Sequence, residues 1–477
     1  MENKQQNKKQ TLLFQQWKKN KDHVLLTNDF GGRIELSGKL FNELCDNPDN
    51  IPQKFFDNGF VSEMLDFGKL GFSWINTHCN VCLSPTLHIF VMTARCNMQC
   101  LYCQAGSPGR KKDMSLDMSL ETAKKCVDFA FKTPSPVLNF EFQGGEPLLN
   151  WEVLSETVKY MRQKESESDK EVSISLISNF ILMDEEKADF LLQNEVAICS
   201  SLDGPENVHK KNRHSENDMS YNIVRKWLKY FNQKYDSQLG KAYKIFRPGA
   251  IITVTKNSIG HAKEIIDEYV SAGLESLYMR PVSQIGYAAA NWNSIGISPA
   301  EYISFYKEAL NYVLTLNKRE VPILEKACQI FCEKIFSIGS GRNYDLDSPC
   351  GAGTGQIAYN YDGNIYTCDE ARMLAMEGDD LFRIGSVNDP VEKVLTAEVV
   401  RACKYASELN SQPLCSRCAY KPYCGICPVF NYATQGSLFG NMATNFRCAV
   451  NKGQIDFIFE LIKDKENEEI LKKWIQR

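Results

Sequence analysis

The sequence predicts an α/β protein built on a partial (β/α)6 barrel, with a small α+β unit before the barrel and a loop-rich domain after it. Three observations support this fold. Six short apolar segments alternate with amphipathic helical windows between residues 87 and 281, as expected of parallel strands joined by crossover helices. Residues 350–450 are rich in turns and carry seven cysteines outside any helical pattern. Hydrophobic residues make up 43% of the 477 and charged residues 24%, so the chain has enough apolar surface to bury a core.

The units of this fold follow one another along the chain. Residues 1–22 are rich in Lys, Gln and Asn and are expected to form a disordered tail. In residues 23–84, strand-like segments flank a Gly31-Gly32 turn, and helical patterns follow. The barrel is predicted over 85–295, with the strands LHIFVMTA, LNFEFQGG, VSISLIS, AICSSLDG, GAIITVT and LESLYMRP. The remaining units are a helical bridge (296–345), the cysteine-rich domain (346–450) and a C-terminal amphipathic helix (451–477).

Charge and hydropathy exclude several classes of partner. The chain has 55 Lys and Arg against 59 Asp and Glu, a net charge of −4, so no overall positive field attracts nucleic acid or anionic lipid. No apolar run reaches 18 residues, and the polar start MENKQQNKKQ leads into no signal-peptide core. The protein is therefore expected to be cytoplasmic, without a nucleic-acid or membrane partner. Its 18 cysteines are expected to stay reduced there, and those that cluster are expected to hold metal.

The first cysteine cluster follows the first strand of the predicted barrel, where the active sites of such barrels lie. Cys96, Cys100 and Cys103 are spaced C-x3-C-x2-C, a pattern expected by chance only roughly 0.03 times in a chain of this composition. Three thiolates can ligate three irons of a 4Fe-4S cluster and leave the fourth iron open to an exogenous ligand. A three-cysteine zinc site, or a cluster that only transfers electrons, is the alternative.

A second motif, Gly144-Gly145-Glu146-Pro147, ends the next strand. Its glycines let the backbone approach a ligand closely, and its carboxylate is suited to an ammonium group, although alone it would be an ordinary tight turn. Placed one strand after the three-cysteine loop, it resembles the pattern of the radical S-adenosylmethionine (SAM) superfamily. The resemblance implies that the open iron chelates the amino and carboxylate groups of SAM. Electron transfer into the sulfonium would then release a 5′-deoxyadenosyl radical.

The resemblance also implies further SAM contacts, residue by residue. Tyr102 takes the position of the family's hydrophobic adenine contact, and Ser201 with Arg213 matches positions that hold the SAM carboxylate in related maturases. Ser178 and Asn179 end the third strand at the position of a Thr-Asn-Gly turn that is frequent in the family, but Phe180 replaces the glycine of that turn. Each of these side chains also has an ordinary structural interpretation. The implied cofactor contacts are Tyr102, Gly144, Gly145, Glu146, Ser178, Asn179, Ser201 and Arg213.

A second set of cysteines lies in the C-terminal third of the chain. Four of them form a run of fixed spacing, C-x2-C-x5-C-x2-C, for which the chance expectation is roughly 0.001. A zinc ribbon is the alternative, but seven thiols exceed the four of one tetrahedral zinc, whereas two 4Fe-4S clusters use up to eight. The set resembles the SPASM extension of radical SAM peptide maturases, which carries two auxiliary 4Fe-4S clusters. Its members are Cys350, Cys368, Cys415, Cys418, Cys424, Cys427 and Cys448.

The resemblance divides these thiols between two auxiliary clusters. The family usually has three residues between its last paired cysteines, where this chain has only Gly425 and Ile426. The fourth ligand of cluster I is not identified by the resemblance, because this chain has Tyr344 where sulfatase-maturase relatives carry a cysteine. An open site and a ligand from elsewhere in the chain are the two alternatives. Cluster II receives Cys415, Cys418, Cys424 and Cys448, and cluster I receives Cys350, Cys368 and Cys427.

The remaining cysteines are interpreted mainly as packing residues. Cys328 and Cys332 lie four apart on one helical face and are candidates for the missing ligand of cluster I, but packing is the favoured interpretation. Cys79 and Cys82, a C-x2-C just before the barrel, are interpreted in the same way. Cysteines within helix or strand patterns, expected in the core, are Cys45, Cys126, Cys199 and Cys403.

Asp369 directly follows a predicted cluster ligand. It occupies the position of the proposed general base in formylglycine-generating relatives. A carboxylate there could accept the proton lost when a substrate radical is oxidised. An exposed turn aspartate is the alternative.

Over nearly its whole length the chain resembles the His-Xaa-Ser-system radical SAM maturases. The resemblance is carried by PTLHIFVMTARCNMQCLYCQA, NFEFQGGEPLLN, AYNYDGNIYTCDEARML and CAYKPYCGICPVFNYATQG. The N-terminal unit weakly resembles the PqqD-like leader-recognition fold. An exposed strand edge there could pair with the leader of a substrate peptide by strand addition.

Together these resemblances imply an enzyme that cleaves SAM reductively and modifies a ribosomally synthesised precursor peptide with a leader. An oxidative intramolecular crosslink, carbon-carbon, ether or thioether, is the leading product, and formylglycine formation of the sulfatase-maturase type or peptide epimerisation are the alternatives. The implied cofactors are SAM and three 4Fe-4S clusters, one binding SAM and two auxiliary, with a flavodoxin or ferredoxin as electron donor. Outside this class, a non-catalytic iron-sulfur electron carrier would need clusters but no SAM pocket.

Overall fold

The computed structural model describes residues 15–18, 23–29, 32–47, 51–61, 84–105, 113–238, 243–336 and 343–476, together with residues 68, 71, 72 and 75. Within these ranges the chain forms an N-terminal sheet with two helices, a central barrel and a C-terminal domain. None of the helices described is both long and apolar enough to cross a membrane. Cys79 and Cys82 lie outside the described residues, as do 1–14 and 19–22 of the predicted tail.

Over residues 15–61, the described part of the N-terminal unit forms a three-stranded antiparallel sheet with two short helices. Its elements are β1 (Gln15–Lys18), β2 (His23–Thr27), β3 (Arg33–Ser37), α1 (Gly38–Asp46) and α2 (Gln53–Asp57). The strands lie in the order β1-β2-β3. The predicted disordered tail of residues 1–22 is therefore wrong for residues 15–18, because pairing with β2 makes them an edge strand. Apolar side chains of this unit form a small core of their own, in which the Phe55 and Phe60 ring centroids are 5.7 Å apart.

The central barrel consists of six parallel strands joined by crossover helices. Its elements are β4 (Leu87–Val91), β5 (Met98–Cys100), α3 (Leu120–Lys132), β6 (Val137–Gln143), α4 (Trp151–Ser166), β7 (Glu171–Ile177), α5 (Glu185–Gln193), β8 (Val196–Ser201), α6 (Glu206–Asn212), β9 (Arg213–Ser215), α7 (Ser220–Asp236), β10 (Gly249–Val254), α8 (Ala262–Ser271), β11 (Ser276–Leu277), β12 (Met279–Pro281), α9 (Tyr287–Ala290) and α10 (Trp292–Ile295). Strands β4, β6, β7, β8, β10 and β12 are parallel neighbours in one sheet. This confirms the six predicted strands and the partial (β/α)6 fold.

Alternation along β6 shows how the sequence builds this barrel. Leu138, Phe140 and Phe142 are buried in the main core, and Phe140 stacks on Phe131 of α3 with ring centroids 6.2 Å apart. Because successive side chains of a strand point to opposite faces, Gln143 lies on the face opposite to Phe142, where it lines an internal cavity. The apolar face of β6 thus packs against the surrounding helices, and its polar face points into the interior of the barrel.

The C-terminal part of the chain adds a helical bridge, four strands and several helices. Its elements are α11 (Pro299–Asn317), β13 (Leu324–Glu325), α12 (Lys326–Phe336), β14 (Gln356–Tyr359), β15 (Asn364–Tyr366), α13 (Asp369–Ala375), β16 (Arg383–Ser386), α14 (Val391–Leu395), α15 (Glu398–Ser407), α16 (Pro428–Gln435), α17 (Phe446–Leu461) and α18 (Lys465–Trp474). The predicted single helix of residues 451–477 is therefore wrong. Two helices form because Asp464 caps α18, accepting a hydrogen bond from the Asn467 amide at 3.0 Å.

Strands β14, β15 and β16 extend the barrel sheet beyond β4. The sheet order is β12-β10-β8-β7-β6-β4-β14-β15-β16, with β14 parallel to β4 and β15 and β16 antiparallel. His88 of β4 and the Tyr359 hydroxyl of β14 are hydrogen-bonded at 2.9 Å. The sheet therefore continues across the predicted domain boundary at residue 346, because residues after that boundary supply three of its strands.

The N-terminal unit packs on the C-terminal domain. The Thr27 hydroxyl donates to the Ala419 carbonyl at 2.9 Å, and the Lys421 ammonium lies 2.6 Å from the Asp29 carboxylate. Both C-terminal partners closely follow Cys418 in the sequence. The unit predicted to recognise a leader is therefore next to a predicted cluster loop.

Candidate active site and metal centres

A cavity of about 320 Å³ lies at the C-terminal ends of the barrel strands. The turns after β6 and β7 and the last residues of β8 and β12 line it, which is where barrel enzymes place their reacting groups. The structure brings every predicted SAM contact and the whole first cysteine cluster to this cavity. The predicted site residues that line it are Cys96, Cys100, Tyr102, Cys103, Gly144, Gly145, Glu146, Ser178, Asn179, Ser201, Arg213 and Cys427.

The three-cysteine loop is held by hydrogen bonds to the chain around it. Cys100 of β5 is paired with Arg213 of β9. At the start of the loop, Arg95 donates to both oxygens of Asp117, from Nε at 2.7 Å and from Nη2 at 2.5 Å. Asp117 also accepts a hydrogen bond from the Thr93 hydroxyl at 2.6 Å. A bidentate arginine-carboxylate pair fixes direction as well as distance, so the loop leaves β4 in a defined orientation.

The three thiols lie close enough to influence one another's ionisation. Burial raises the pKa of the Cys96 thiol, and the neighbouring Cys100, Glu146 and Cys103 add to the rise. Burial also raises the pKa of Cys100 to about 11, while the Arg213 guanidinium opposes this shift. Metal binding requires thiolates, so a metal centre here would displace the protons that this environment otherwise favours.

The Gly144-Gly145-Glu146 turn lies against the segment that leads into the cysteine loop. The Gly145 amide donates to the Thr93 carbonyl at 2.8 Å, and the Glu146 amide donates to the Arg95 carbonyl at 2.8 Å. Gly144 has a φ of 149°, and a Cβ atom there would collide with the Thr93 carbonyl oxygen. Only glycine permits this approach, which joins the turn to the cysteine loop.

The Glu146 carboxylate is buried and already accepts hydrogen bonds. Its donors are the Ser178 hydroxyl at 2.8 Å, the Asn179 amide at 2.8 Å and the Leu148 amide at 3.0 Å. Burial raises the pKa of this carboxyl, and the hydrogen bonds oppose the rise. The sequence suggested separate SAM contacts at Glu146 and at the turn after β7, and the structure joins them into one hydrogen-bonded group.

Tyr102 contacts a buried carboxylate that the sequence analysis missed. Its hydroxyl donates to Asp203, with distances of 2.8 and 3.0 Å to the two carboxylate oxygens. The Arg213 guanidinium lies 5.7 Å from the centre of the Tyr102 ring. Asp203 is fully buried, and burial raises its pKa while Arg213 opposes the rise. The signal for Asp203 in the sequence is the segment SLDGP after β8, which also contains Ser201.

The four cysteines assigned to cluster II lie together in the structure. Burial raises the pKa of Cys415, and the nearby Cys424, Cys418 and Cys448 add to the rise. The Cys418 amide donates to the Cys415 carbonyl at 3.0 Å, and Asn451 donates from Nδ2 to the Cys424 sulfur at 3.5 Å. All four thiols are partly exposed, so this set lies near the surface of the domain.

The three cysteines assigned to cluster I form a second, deeper group. Burial raises the pKa of Cys368, and Glu370, Cys427 and Cys350 add to the rise. All three thiols are buried, and Cys427 lines the main cavity. One continuous space therefore reaches from the three-cysteine loop of the barrel to this group.

Apart from Cys403, the other described cysteines lie outside the predicted ligand sets. The sulfurs of Cys328 and Cys332 are 3.9 Å apart inside the main core, which supports the packing interpretation. Cys126 is buried, as expected, whereas Cys199 is only partly buried. Cys45 is exposed, contrary to the expected core position, because α1 turns its neighbour Leu44 inward instead.

No disulfide joins the described cysteines. In the same ranges, no three His, Cys, Asp or Glu side chains converge closely enough to hold a single metal ion.

Comparison with known proteins identifies the central domain. Residues 90–240 match the family model of the radical SAM superfamily. These residues form a radical SAM domain. This superfamily uses a 4Fe-4S cluster together with SAM.

Relatives and solved structures extend the likeness to most of the chain. The cysteine-type anaerobic sulfatase-maturating enzyme of Clostridium perfringens is 23% identical over 307 residues, which cover 64% of this chain and 76% of the relative. Native anSMEcpe with bound AdoMet has a TM-score of 0.64 at 19% identity and covers 80% of this chain and 99% of its own. Streptococcus suis SuiB bound to precursor peptide SuiA has a TM-score of 0.55 at 14% identity, with coverages of 90% and 98%. These likenesses confirm the α/β barrel fold, and the C-terminal domain is consistent with a SPASM extension.

The lining of the barrel end of the cavity fits the radical SAM cofactors. Cys96, Cys100 and Cys103 offer soft sulfur ligands suited to iron, and the Arg213 guanidinium offers a positive charge suited to a carboxylate. In the same loop, the buried Nδ2 atom of Asn97 has no hydrogen-bond partner among the described residues. Such an unpaired donor is what a site built for a bound group would contain.

The end of the cavity nearer to Cys427 is lined by charged residues, including Arg280, Asp345, Arg372 and Arg447. Arg372 is 1% exposed and donates from Nε to Asp369 at 2.8 Å. Its Nη1 atom has no hydrogen-bond partner in the described part of the chain. The Asp369 side chain is only 19% exposed, which argues against an ordinary surface turn. Asp369 is thus placed beside the cavity through its contact with Arg372.

Proposed function

We propose that this radical SAM enzyme modifies a ribosomally synthesised precursor peptide, most simply by forming an oxidative intramolecular crosslink. The observation that carries the proposal is the single cavity that joins the three-cysteine loop to the Cys427 group. With SAM and a reduced cluster bound, superfamily chemistry supplies a 5′-deoxyadenosyl radical that abstracts a hydrogen atom. A substrate held between the two ends would then lie next to both the radical source and an electron acceptor.

At the barrel end, the proposed cluster ligands are Cys96, Cys100 and Cys103. The backbone of the Gly144-Gly145 turn, with the group of Glu146, Ser178 and Asn179 behind it, would receive the amino group of SAM. Its carboxylate would be received by Ser201 and Arg213, and its adenine by Tyr102. The support is that all these residues line one cavity and that hydrogen bonds hold them there.

At the C-terminal end, we assign two auxiliary 4Fe-4S clusters. The cluster I ligands are Cys350, Cys368 and Cys427, and the cluster II ligands are Cys415, Cys418, Cys424 and Cys448. The first group is buried beside the cavity and the second is partly exposed. The buried group would hold a cluster beside the cavity, where it could accept the electron of a substrate radical. The partly exposed group would hold a cluster within reach of a flavodoxin or ferredoxin.

Asp369 is the proposed acceptor of the proton that leaves when the substrate radical is oxidised. Its hydrogen bond to Arg372 would orient the carboxylate, and the unpaired Nη1 atom of Arg372 would receive an acceptor group of the peptide. The peptide's negatively charged or carbonyl groups suit this end of the cavity because three arginines line it.

The N-terminal unit is the proposed leader-recognition site. Its sheet has the order β1-β2-β3, so β1 and β3 are edge strands, and an edge strand can pair with an extended peptide. Contacts from Thr27 to Ala419 and from Asp29 to Lys421 join this unit to the C-terminal domain. A leader held there would keep the core of the peptide tethered to the enzyme.

The test is anaerobic incubation of the reconstituted enzyme with SAM, dithionite and short peptides encoded beside the gene. We expect 5′-deoxyadenosine together with a peptide that has lost two hydrogens and resists fragmentation between the joined residues. Absence of 5′-deoxyadenosine would contradict the proposal and favour a non-catalytic electron carrier.

A formylglycine product is the second candidate, because the Clostridium perfringens relative is a sulfatase-maturating enzyme. It would appear as an aldehyde that reacts with hydrazines. Epimerisation would leave the peptide mass unchanged and incorporate deuterium from heavy water. A leaderless peptide serves as the control in each assay and should be turned over poorly.

A further inference from the structure

Helix α15 brings a fourth cysteine to the cluster I group. Cys403 lies on the buried face of this helix and is 1% exposed. It belongs to the same buried cluster of side chains as Cys350, Cys368 and Cys427. Burial raises the pKa of Cys403 to about 12, and Cys427 adds to the rise. The four sulfurs therefore share one compartment of the C-terminal domain.

A hydrogen bond fixes α15 against the loop that carries Cys350. The Ser407 hydroxyl accepts from the Cys350 amide at 3.0 Å and donates to the Cys403 carbonyl at 2.7 Å. Because Ser407 follows Cys403 by four residues, both side chains project from the same face of the helix. One turn earlier, Val400 packs so closely on Gly353 that a Cβ atom there would collide with it. The face of α15 that carries Cys403 thus packs directly against the loop that carries Cys350.

We propose that Cys403 supplies the fourth thiolate of auxiliary cluster I, together with Cys350, Cys368 and Cys427. This inference rests on the proposed function, which places a cluster at the other three thiols. Cys403 would replace the cysteine that sulfatase-maturase relatives have at the position of Tyr344. The Tyr344 hydroxyl is instead hydrogen-bonded to the Thr86 hydroxyl. A cluster with four cysteine ligands has no open iron for a substrate atom. Cluster I would then act on the peptide by electron transfer alone.

Asp345 is the competing ligand, because it lies near Cys350. Its carboxylate already interacts with the guanidinium groups of Arg280 and Arg447. Cys403, in contrast, packs among apolar side chains of the cluster I group. Iron-sulfur clusters are held by thiolates in preference to carboxylates, so the chemistry of the two side chains favours Cys403.

The test uses the full chain with Cys96, Cys100 and Cys103 replaced by alanine, so that only auxiliary clusters remain. A 4Fe-4S cluster with an open iron loses that iron on mild oxidation with ferricyanide, and the 3Fe-4S product gives a distinct paramagnetic resonance signal. We expect no such signal from this parent, and about one 3Fe-4S spin per chain after Cys403→Ser is added. Cys126→Ser is the matched control, because Cys126 is also a buried helical cysteine, and it should leave the parent unchanged.

Three results would overturn the assignment. A 3Fe-4S signal from the parent itself would show that an iron is open although Cys403 is present. This result does not depend on whether the Cys403→Ser protein folds. A signal from Asp345→Asn but not from Cys403→Ser would assign the ligand to Asp345. A parent with about four irons per chain instead of about eight would contradict cluster I itself, and with it this part of the proposed function.

Discussion

The Ser178 hydroxyl donates a hydrogen bond of 2.8 Å to the Glu146 carboxylate, joining the turns that follow two neighbouring barrel strands. Both residues are buried. The same carboxylate accepts the backbone amides of Leu148 and Asn179. The Glu146 side chain therefore organises the barrel end of the cavity by accepting hydrogen bonds from several donors.

Replacing Glu146 with alanine should destabilise the barrel as well as the cofactor site. The amides of Leu148 and Asn179 would be left buried without an acceptor, and each such group costs about 1–3 kcal/mol. We expect the free energy of unfolding, measured by urea titration, to fall by about 2–5 kcal/mol. Ser178→Ala removes one donor to Glu146 and the acceptor of the Phe180 amide, and should cost less, about 1–2 kcal/mol. Equal stabilities of the two variants would contradict the role given to Glu146.

The first cysteine cluster should be required for SAM cleavage. Cys96→Ala, Cys100→Ala or Cys103→Ala leaves two protein thiolates for the cluster, which would then be poorly held. We expect the iron content to fall by about four per chain and 5′-deoxyadenosine formation to fall to background. Cys126→Ala, at a buried position away from the cavity, is the control. Wild-type rates from a three-cysteine-loop variant would refute the ligand assignment.

The auxiliary clusters should be separable from SAM cleavage. Cys415→Ala or Cys418→Ala should lose about four irons per chain and the modified peptide, while 5′-deoxyadenosine still forms. Iron analysis and mass spectrometry of the same reaction measure both effects. Cys332→Ala should keep the full iron content, since its thiol lies in the core with Cys328. Normal peptide product from the Cys415 variant would rule out the proposed role.

Asp369 should matter for product formation but not for SAM cleavage. In Asp369→Asn, loss of the proton acceptor should leave 5′-deoxyadenosine formation intact and reduce peptide product about 100-fold or more. Asp369→Glu keeps the carboxylate and should recover part of the product yield. The readout is the ratio of modified peptide to 5′-deoxyadenosine. An unchanged ratio in Asp369→Asn would exclude Asp369 as the base.

His88 should make the stability depend on pH. Its ring lies within hydrogen-bond distance of the Tyr359 hydroxyl at 2.9 Å and the Pro85 carbonyl at 3.2 Å, and burial lowers its pKa to about 3 from an ordinary value of 6.5. Between these values the unfolded chain binds a proton that the folded chain does not. The free energy of unfolding should therefore fall as the pH decreases below about 6.5, by at most about 1.4 kcal/mol per pH unit from this residue.

Replacement of His88 isolates this contribution. Unfolding of the wild type and of His88→Asn at about pH 5 and about pH 7 should show a smaller pH dependence for the variant. His214→Asn is the control, because His214 is exposed. An identical pH dependence in wild type and His88→Asn would show that the buried ring does not control it.

The fold was predictable where its signals are local. Alternating strands such as β6 carry their own periodicity, and the cysteine spacings identified groups that the structure then brought together. Pairing of β14 with β4 was not predictable, because residues such as His88 and Tyr359 are 271 positions apart and neither local segment indicates its partner. The position of Cys403 was hidden for a similar reason. A cysteine on the apolar face of a helix looks like a packing residue until its neighbours in space are known.

The pairing of β14 with β4 also bears on how relatives of this enzyme can be recombined. Because the C-terminal domain contributes strands to the barrel sheet, exchanging that domain for another at residue 346 would separate hydrogen-bonded partners and leave β4 as a bare sheet edge. A hybrid enzyme built to accept a new peptide would have to transplant the β4 face that meets β14, including His88, along with the donor's C-terminal half. A domain exchange should therefore keep the continuous sheet intact instead of following the domain boundary drawn on the sequence.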